Sequence, residues 1–200
     1  MSWTFELGKR VSSGSGKLRR RLLSPLNLLP YMRPTHFTIL LIEDNENDRY
    51  LIEMAWQRTG TLNSIQCVSS GEEAVRYLKG EGKFRDRSCF AYPSFITTDL
   101  KMPNGDGFSV LQYLKSNPEW AVIPTCVLSA SADPDDIKKS YMLGASCYHV
   151  KPSSYGDLLK MMSILLDYWM LCEVPEVDVT GRQIKTQSRG KLGQRILQAD

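Results

Sequence analysis

Asp99 ends the β-prone run Phe95-Ile96-Thr97-Thr98 and leads into Leu100-Lys101-Met102-Pro103-Asn104-Gly105, where proline and glycine stop a strand. Two other runs of the same kind also end in charge. Glu43-Asp44 follows Phe37-Thr38-Ile39-Leu40-Leu41-Ile42, and Lys151-Pro152 follows Ser146-Cys147-Tyr148-His149-Val150. A fourth run, Pro124-Thr125-Cys126-Val127-Leu128, closes on Ser129-Ala130. If these runs are parallel strands, three carboxylates, a hydroxyl and an amine meet at one sheet edge, the place where open α/β sheets bind ligands. Carboxylates crowded there repel one another and raise their own pKa values unless a cation sits among them. Hard oxygen donors select Mg²⁺. A carboxylate is also a competent nucleophile for phosphoryl transfer, forming an aspartyl phosphate. The charge spread over the transferred group then calls for a second cation and a hydroxyl donor, and Lys151 and Ser129 have that chemistry.

The elements that must position these residues alternate strand and helix. Strands are expected at 37–42, 64–68, 95–99, 124–128 and 146–150. A first helix is expected at 47–58, with Tyr50, Leu51, Met54 and Ala55 at helical spacing, and a second at 71–79, capped by Ser70 with Glu72 and Glu73 at its positive end. A third is expected at 108–115, and a fourth begins at Asp133-Pro134, where Asp caps and Pro suits the first turn. The connection 80–93 reads as a polar surface loop. Five such βα units with right-handed crossovers make a doubly wound, five-stranded parallel sheet of α/β class. The last helix, 153–172, is apolar around most of its circumference, with only a thin polar stripe of Asp157, Lys160, Ser163 and Asp167. Covering one sheet face does not require that much apolar surface, so the excess is expected to meet a partner chain.

A chain of 200 residues suits one domain with tails. Its net charge of +3 hides an asymmetry: residues 1–35 hold seven Lys or Arg against Glu6 alone, while residues 36–175 hold thirteen against eighteen Asp or Glu. An acidic body argues against a nucleic-acid surface. Residues 1–34, with a Ser/Gly tract and the basic cluster Arg19-Arg20-Arg21, read as a disordered basic arm, and residues 175–200 as a flexible tail. Met32 is an alternative start of translation. No run is long enough to span a bilayer, and the apolar patch after Arg21 makes a poor secretory signal. Five cysteines without paired spacing fit reduced thiols in the cytoplasm, and with no Cys-x-x-Cys and only two histidines a zinc site is not expected. His36 and His149 read as structural.

Taken in order, Glu43-Asp44, Asp99-Leu100-Lys101-Met102-Pro103 with Gly105 and Gly107, Ser129-Ala130 and Lys151-Pro152 resemble the receiver domain of two-component response regulators. The resemblance covers residues 37–172 and implies a flavodoxin-like (βα)5 fold, with a receiver domain over 35–174. It implies that Asp99 is the phosphoacceptor. It also implies that Glu43, Asp44, Asp99 and the Lys101 backbone carbonyl bind Mg²⁺, that Ser129 and Lys151 contact the phosphoryl group, and that Tyr148 is the aromatic switch residue. In the family the Lys-Pro peptide is usually cis. The length of 80–93, Asn117-Pro118-Glu119 and the final apolar helix are similar to stand-alone regulators that serve phytochrome-type and related hybrid histidine kinases. Some of these dimerise through that last helix, here 157–172. Thr97-Thr98 departs from the apolar or acidic residues usual before the acceptor.

The expected function is therefore a single-domain response regulator that takes a phosphoryl group from a sensor histidine kinase and signals through another protein. It would be no enzyme beyond self-catalysed phosphorylation and dephosphorylation. Two rivals stand beside it. One is a pseudo-receiver acting only as a binding module. The other is an aspartyl-nucleophile phosphatase, disfavoured because Lys101 stands where the second, proton-donating acid of an Asp-x-Asp pair belongs.

Overall fold

The computed structural model describes residues 38–59, 64–103 and 106–172. The expected arm at 1–34 and tail at 175–200 lie outside these residues, as do His36, Asn104 and Gly105. Chain order is β1 (Thr38–Ile42), α1 (Glu46–Arg58), β2 (Ser64–Val68), α2 (Gly71–Lys79), β3 (Phe95–Thr98), α3 (Gly107–Ser116), β4 (Thr125–Ser129), α4 (Pro134–Met142), β5 (Cys147–Val150) and α5 (Tyr155–Leu171). All strand pairs are parallel, in the order β2-β1-β3-β4-β5. From β1 the chain steps outward one way to β2, then crosses to β3 and runs the other way. The order therefore reverses between β1 and β3, which places the topological switch point between the ends that carry Glu43 and Asp99.

The inner strands β1, β3 and β4 are buried along their whole length, as a sheet covered by helices on both sides requires. Alternation sends Ile39, Leu41, Phe95, Cys126 and Leu128 to one face, where they pack with Ile52, Ala55 and Trp56 of α1 and Leu158, Met162, Leu165 and Leu166 of α5. Leu40, Ile42 and Ile96 go to the other face, against Ala74, Tyr77 and Leu78 of α2 and Val110 and Leu114 of α3. The buried stripe of α1 is thus Ile52-Ala55-Trp56, while Tyr50 and Leu51 are exposed. Polar side chains start each helix: Asn45, Ser70, Asp106, Asp133 and Ser154 each accept from a backbone N–H of the first turn.

The connection after α2 is not the plain surface loop its polar composition indicates. Gly80, at φ 68°, closes α2, and a short 3-10 turn over Gly82–Arg85 follows. Phe84 and Tyr92 are buried, and Tyr77, Phe84 and Phe90 form a ring cluster with centroids 5.0–6.2 Å apart. Arg87 pins the segment by donating to the carbonyls of Leu78 at 2.7 Å and Phe90 at 3.2 Å. Aromatic burial and backbone hydrogen bonds offset the entropy of a long connection. No peptide bond is cis among the described residues, so Lys151-Pro152 is trans, contrary to the family-based expectation. The trans form is also the intrinsically preferred one for an X-Pro bond.

Candidate functional site

Each charged group at the sheet edge sits one residue past its strand and is still held by one bond of the ladder. Glu43 N–H donates to Val68 O at 3.0 Å, Asp99 N–H to Ile42 O at 3.0 Å, and Lys151 N–H to Ser129 O at 2.8 Å. Backbone register thus delivers the three side chains to one point. There Lys151 Nζ donates to Glu43 Oε2 at 2.7 Å, Asp99 Oδ2 at 2.7 Å and Asp48 Oδ2 at 2.8 Å. Glu43 is 1% exposed and Asp99 8%. Burial alone would lower the pKa of Lys151, but the hydrogen bonds it donates to the three carboxylates hold it well above the ordinary lysine value. Burial raises the pKa of Glu43 despite Lys151, and Asp99 adds to the rise. The two shifts pull against each other across one ion pair. Lys151 stays protonated, because one ammonium faces three carboxylates, and burial still leaves Glu43, the most buried of them, harder to ionise than a free glutamate.

Asp48 is the member of the cluster that sequence reasoning missed. It sits in the first turn of α1, where Asn45 caps the helix and turns that acid back over the strand ends. The signal available was an acid one helical turn past Glu43-Asp44. Asp44, expected in the cluster, is half-buried beside it and makes no hydrogen bond or ion pair with it.

The Asp99 carboxylate is held at its other oxygen as well, where Oδ1 accepts from Leu100 N–H at 2.5 Å and Lys101 N–H at 3.4 Å. The Lys101 side chain turns outward to Asp136 at 3.5 Å, so its backbone is what adjoins Asp99. Gly107 packs directly on Asp99: a Cβ there would lie 2.1 Å from Asp99 O. Thr98 Oγ1 donates to that same carbonyl at 2.8 Å. Ser129 is buried at the end of β4, and its Oγ accepts from Ser131 N–H at 3.4 Å. Ser131 in turn donates its hydroxyl to Asp136 at 2.6 Å and accepts at its carbonyl from the Tyr148 hydroxyl at 2.8 Å. The Ser131 hydroxyl, with Lys101 and Lys139, keeps Asp136 below the usual carboxylate range. Ser129 and Tyr148 are thereby joined through a loop that sequence reasoning did not single out.

Three carboxylates against one ammonium leave two negative charges, and every donor is a hard oxygen. That donor set fits one divalent cation such as Mg²⁺.

The family model described as the response regulator receiver domain matches residues 39–163. The probable methanogenesis regulatory protein FilR2 of Methanothrix harundinacea is 33% identical over 135 residues, covering 67% of this chain and 84% of that protein. The response regulator Rcp1 of Synechocystis is 31% identical over 132 residues, covering 66% of this chain and 88% of that protein. Its Mn²⁺-bound crystal structure superposes with a TM-score of 0.64 at 30% identity, covering 70% of this chain and 99% of that one. The phosphorylated cyanobacterial phytochrome response regulator RcpA superposes with a TM-score of 0.66 at 34% identity, again covering 70% and 99%.

Proposed function

The chain belongs to the response regulator receiver family, homologous to phytochrome-associated single-domain regulators, and from that premise we propose that it works as a stand-alone phosphoaccepting switch. Asp99 takes a phosphoryl group from the phosphohistidine of a sensor histidine kinase. A carboxylate oxygen attacks phosphorus, the P–N bond breaks, and the departing imidazole nitrogen takes up a proton. The observation that carries this reading is the junction of Asp99 with Lys151 at 2.7 Å beside buried Glu43. An ammonium already bonded to the nucleophile is in reach of the oxygens that arrive with phosphorus. Ser129, at the end of the neighbouring strand, supplies the hydroxyl donor, and Tyr148 follows through Ser131.

Glu43, Asp44, Asp99 and the Lys101 carbonyl would hold Mg²⁺, with Asp48 in reach of the same charge. When bound, the ion neutralises charge on the phosphoryl oxygens. Self-catalysed phosphorylation and slow hydrolysis at Asp99 are the only chemistry in this reading. The kinase is of phytochrome type, a choice supported by likeness to RcpA and Rcp1. Output goes to a protein surface rather than nucleic acid, since the body between residues 36 and 175 is acidic. Ile164 and Tyr168, 60% and 57% exposed and one turn apart on α5, support a homodimer through that helix. Free cysteines throughout support a cytoplasmic setting, with the receiver at 35–174 between a basic arm and a tail.

The test is labelling by acetyl phosphate with and without Mg²⁺, read by intact mass, together with size-exclusion light scattering in beryllofluoride. One Mg²⁺-dependent phosphoryl group, absent in Asp99→Asn, is expected. Labelling that persists in Asp99→Asn overturns the site. No labelling with a normal fold returns the reading to a binding module.

A further inference from the structure

On the opposite face of the β4–β5 edge from Tyr148, the register pairs Cys126 with Cys147 and Leu128 with His149. Strand alternation puts Cys147 and His149 on one face, the same face as Cys126, under α5. One ligand atom from each of Cys126, Cys147 and His149 lies within 4.8 Å of the other two. Among the described residues no other group of three His, Cys, Asp or Glu side chains is gathered so closely. We infer that Cys126, Cys147 and His149 form a binding site for one Zn²⁺ ion, distinct from the acidic cluster at the strand ends.

The chemistry selects the ion. Two sulfurs and one imidazole are soft-to-borderline donors, which suit Zn²⁺ and reject Mg²⁺. Zn–S bonds of about 2.3 Å in a tetrahedron bring two sulfurs to about 3.8 Å apart, so closing the observed cluster takes side-chain shifts of about 1 Å or less. Three protein ligands leave the fourth position to water, reached from the edge strand, where Cys147 and His149 are only partly buried. Binding displaces the Cys126 thiol proton, and any proton still held by Cys147 or His149, to solvent.

A second observation points to the same ligand. The indole Nε1–H of Trp169 is buried against the Cys147 sulfur, and its hydrogen bond there favours the thiolate, the form that ligates a metal. Such an outer hydrogen bond to a ligating sulfur is the support a bound ion uses, so the indole is already placed to hold Cys147 toward the metal. The sequence gives no sign of the site, because Cys126 and Cys147 belong to different strands and only parallel register makes them neighbours. The ion would clamp β4 to β5 beside Ser129 and Lys151, on the reverse side of the sheet from Tyr148.

The experiment uses the full reduced chain, stripped by chelator and titrated with Zn²⁺ against a chromogenic competitor, with Co²⁺ as the optical probe. One equivalent is expected, with sulfur-to-cobalt charge-transfer absorption. Affinity should fall by more than about tenfold in both Cys147→Ala and His149→Ala, since even outer-shell losses cost about 10–100-fold. It should be unchanged in Cys89→Ser and Asp99→Asn. His149 is half-buried at the edge, so His149→Ala keeps the test alive if a cysteine variant misfolds; circular dichroism checks both folds. Zn²⁺ affinity equal to wild type in His149→Ala, or affinity lost in Asp99→Asn instead, would overturn the assignment. Absence of the charge-transfer band would do so as well. None of these results bears on phosphorylation at Asp99, so the two readings stand or fall separately.

Discussion

Replacing Lys151 with methionine removes the one ammonium shared by Glu43, Asp48 and Asp99 while keeping an unbranched chain of similar length. Breaking a buried ion pair by deleting one partner costs about 3–5 kcal/mol. Only two of the three carboxylates are buried here. Asp48 is 40% exposed and already shares its charge with water, so its part is near the surface value of about 0–1 kcal/mol. Glu43 can also take a proton and the site can admit water, which places the expected loss at about 2–4 kcal/mol. At about 4 °C per kcal/mol for a domain of this size, Tm should drop by roughly 8–16 °C in chelator. The residual charge then rises from two negative to three, so Mg²⁺ should bind the variant more tightly than wild type. A free concentration ten times Kd restores about 1.4 kcal/mol. Urea unfolding at several Mg²⁺ concentrations reads both quantities. A loss below 1 kcal/mol in chelator, or equal Mg²⁺ stabilisation of the two proteins, would refute the view that Lys151 is the cation organising this cluster. Phosphoryl labelling should fall sharply in the variant whatever its stability.

Gly107→Ala should destabilise the domain by more than about 2 kcal/mol and abolish acetyl phosphate labelling, because its Cβ would meet Asp99 O at 2.1 Å and neither backbone can yield cheaply; wild-type labelling would contradict this. Arg87→Ala removes two charge-assisted bonds to the Leu78 and Phe90 carbonyls, worth about 1.5–3 kcal/mol each, and should open 80–93 to limited proteolysis with labelling intact; an unchanged digestion pattern would contradict it. The pH dependence runs against the usual carboxylate sense. Glu43 has a folded pKa above 4.5, so between 4.5 and that raised value the folded state holds more protons than the unfolded one and stability falls as pH rises. Glu43→Gln should flatten that slope in chelator, measured by urea midpoints across weakly acidic pH, and an unchanged slope would assign the proton elsewhere.

What the sequence revealed and what it concealed follow one physical division. Strand ends were legible because apolar and β-branched runs stop at Glu43, Asp99, Ser129 and Lys151, and those stops carry the chemistry. Helix starts were legible where one side chain does the capping, as Ser70 and Asp133 with Pro134 do. Asp48 was not, because its reach to Lys151 depends on the direction in which α1 leaves β1, a property of packing by Ile52, Ala55 and Trp56 rather than of local pattern. The segment 80–93 misled through its charge. Lys83, Arg85 and Arg87 mark it as surface, yet Phe84, Phe90 and Tyr92 fold under, and Arg87 is consumed by backbone carbonyls. Composition averages such a segment; its burial depends on which side chains face Tyr77.

The departure at Thr97-Thr98 divides in the same way. Thr97 Oγ1 is buried with no partner, and nothing in the structure explains it. Thr98 Oγ1 donates to Asp99 O, which lies where the chain leaves the ladder and where Gly107 presses closest. With Asp99 N–H bonded to Ile42 O and Gly107 N–H to Leu100 O, the Asp99 backbone is fixed from both sides. A hydroxyl there does what an apolar side chain cannot, since it gives that carbonyl a donor. The carboxylate's surroundings are looser, because Lys151 divides itself among three acids and Ser129 holds only a weak 3.4 Å bond from Ser131. Under the proposed function, a fixed Asp99 backbone within redistributable charge lets a phosphoryl group move the neighbours rather than Asp99 itself. Ser129 and Tyr148, already joined through Ser131, are the neighbours placed to respond.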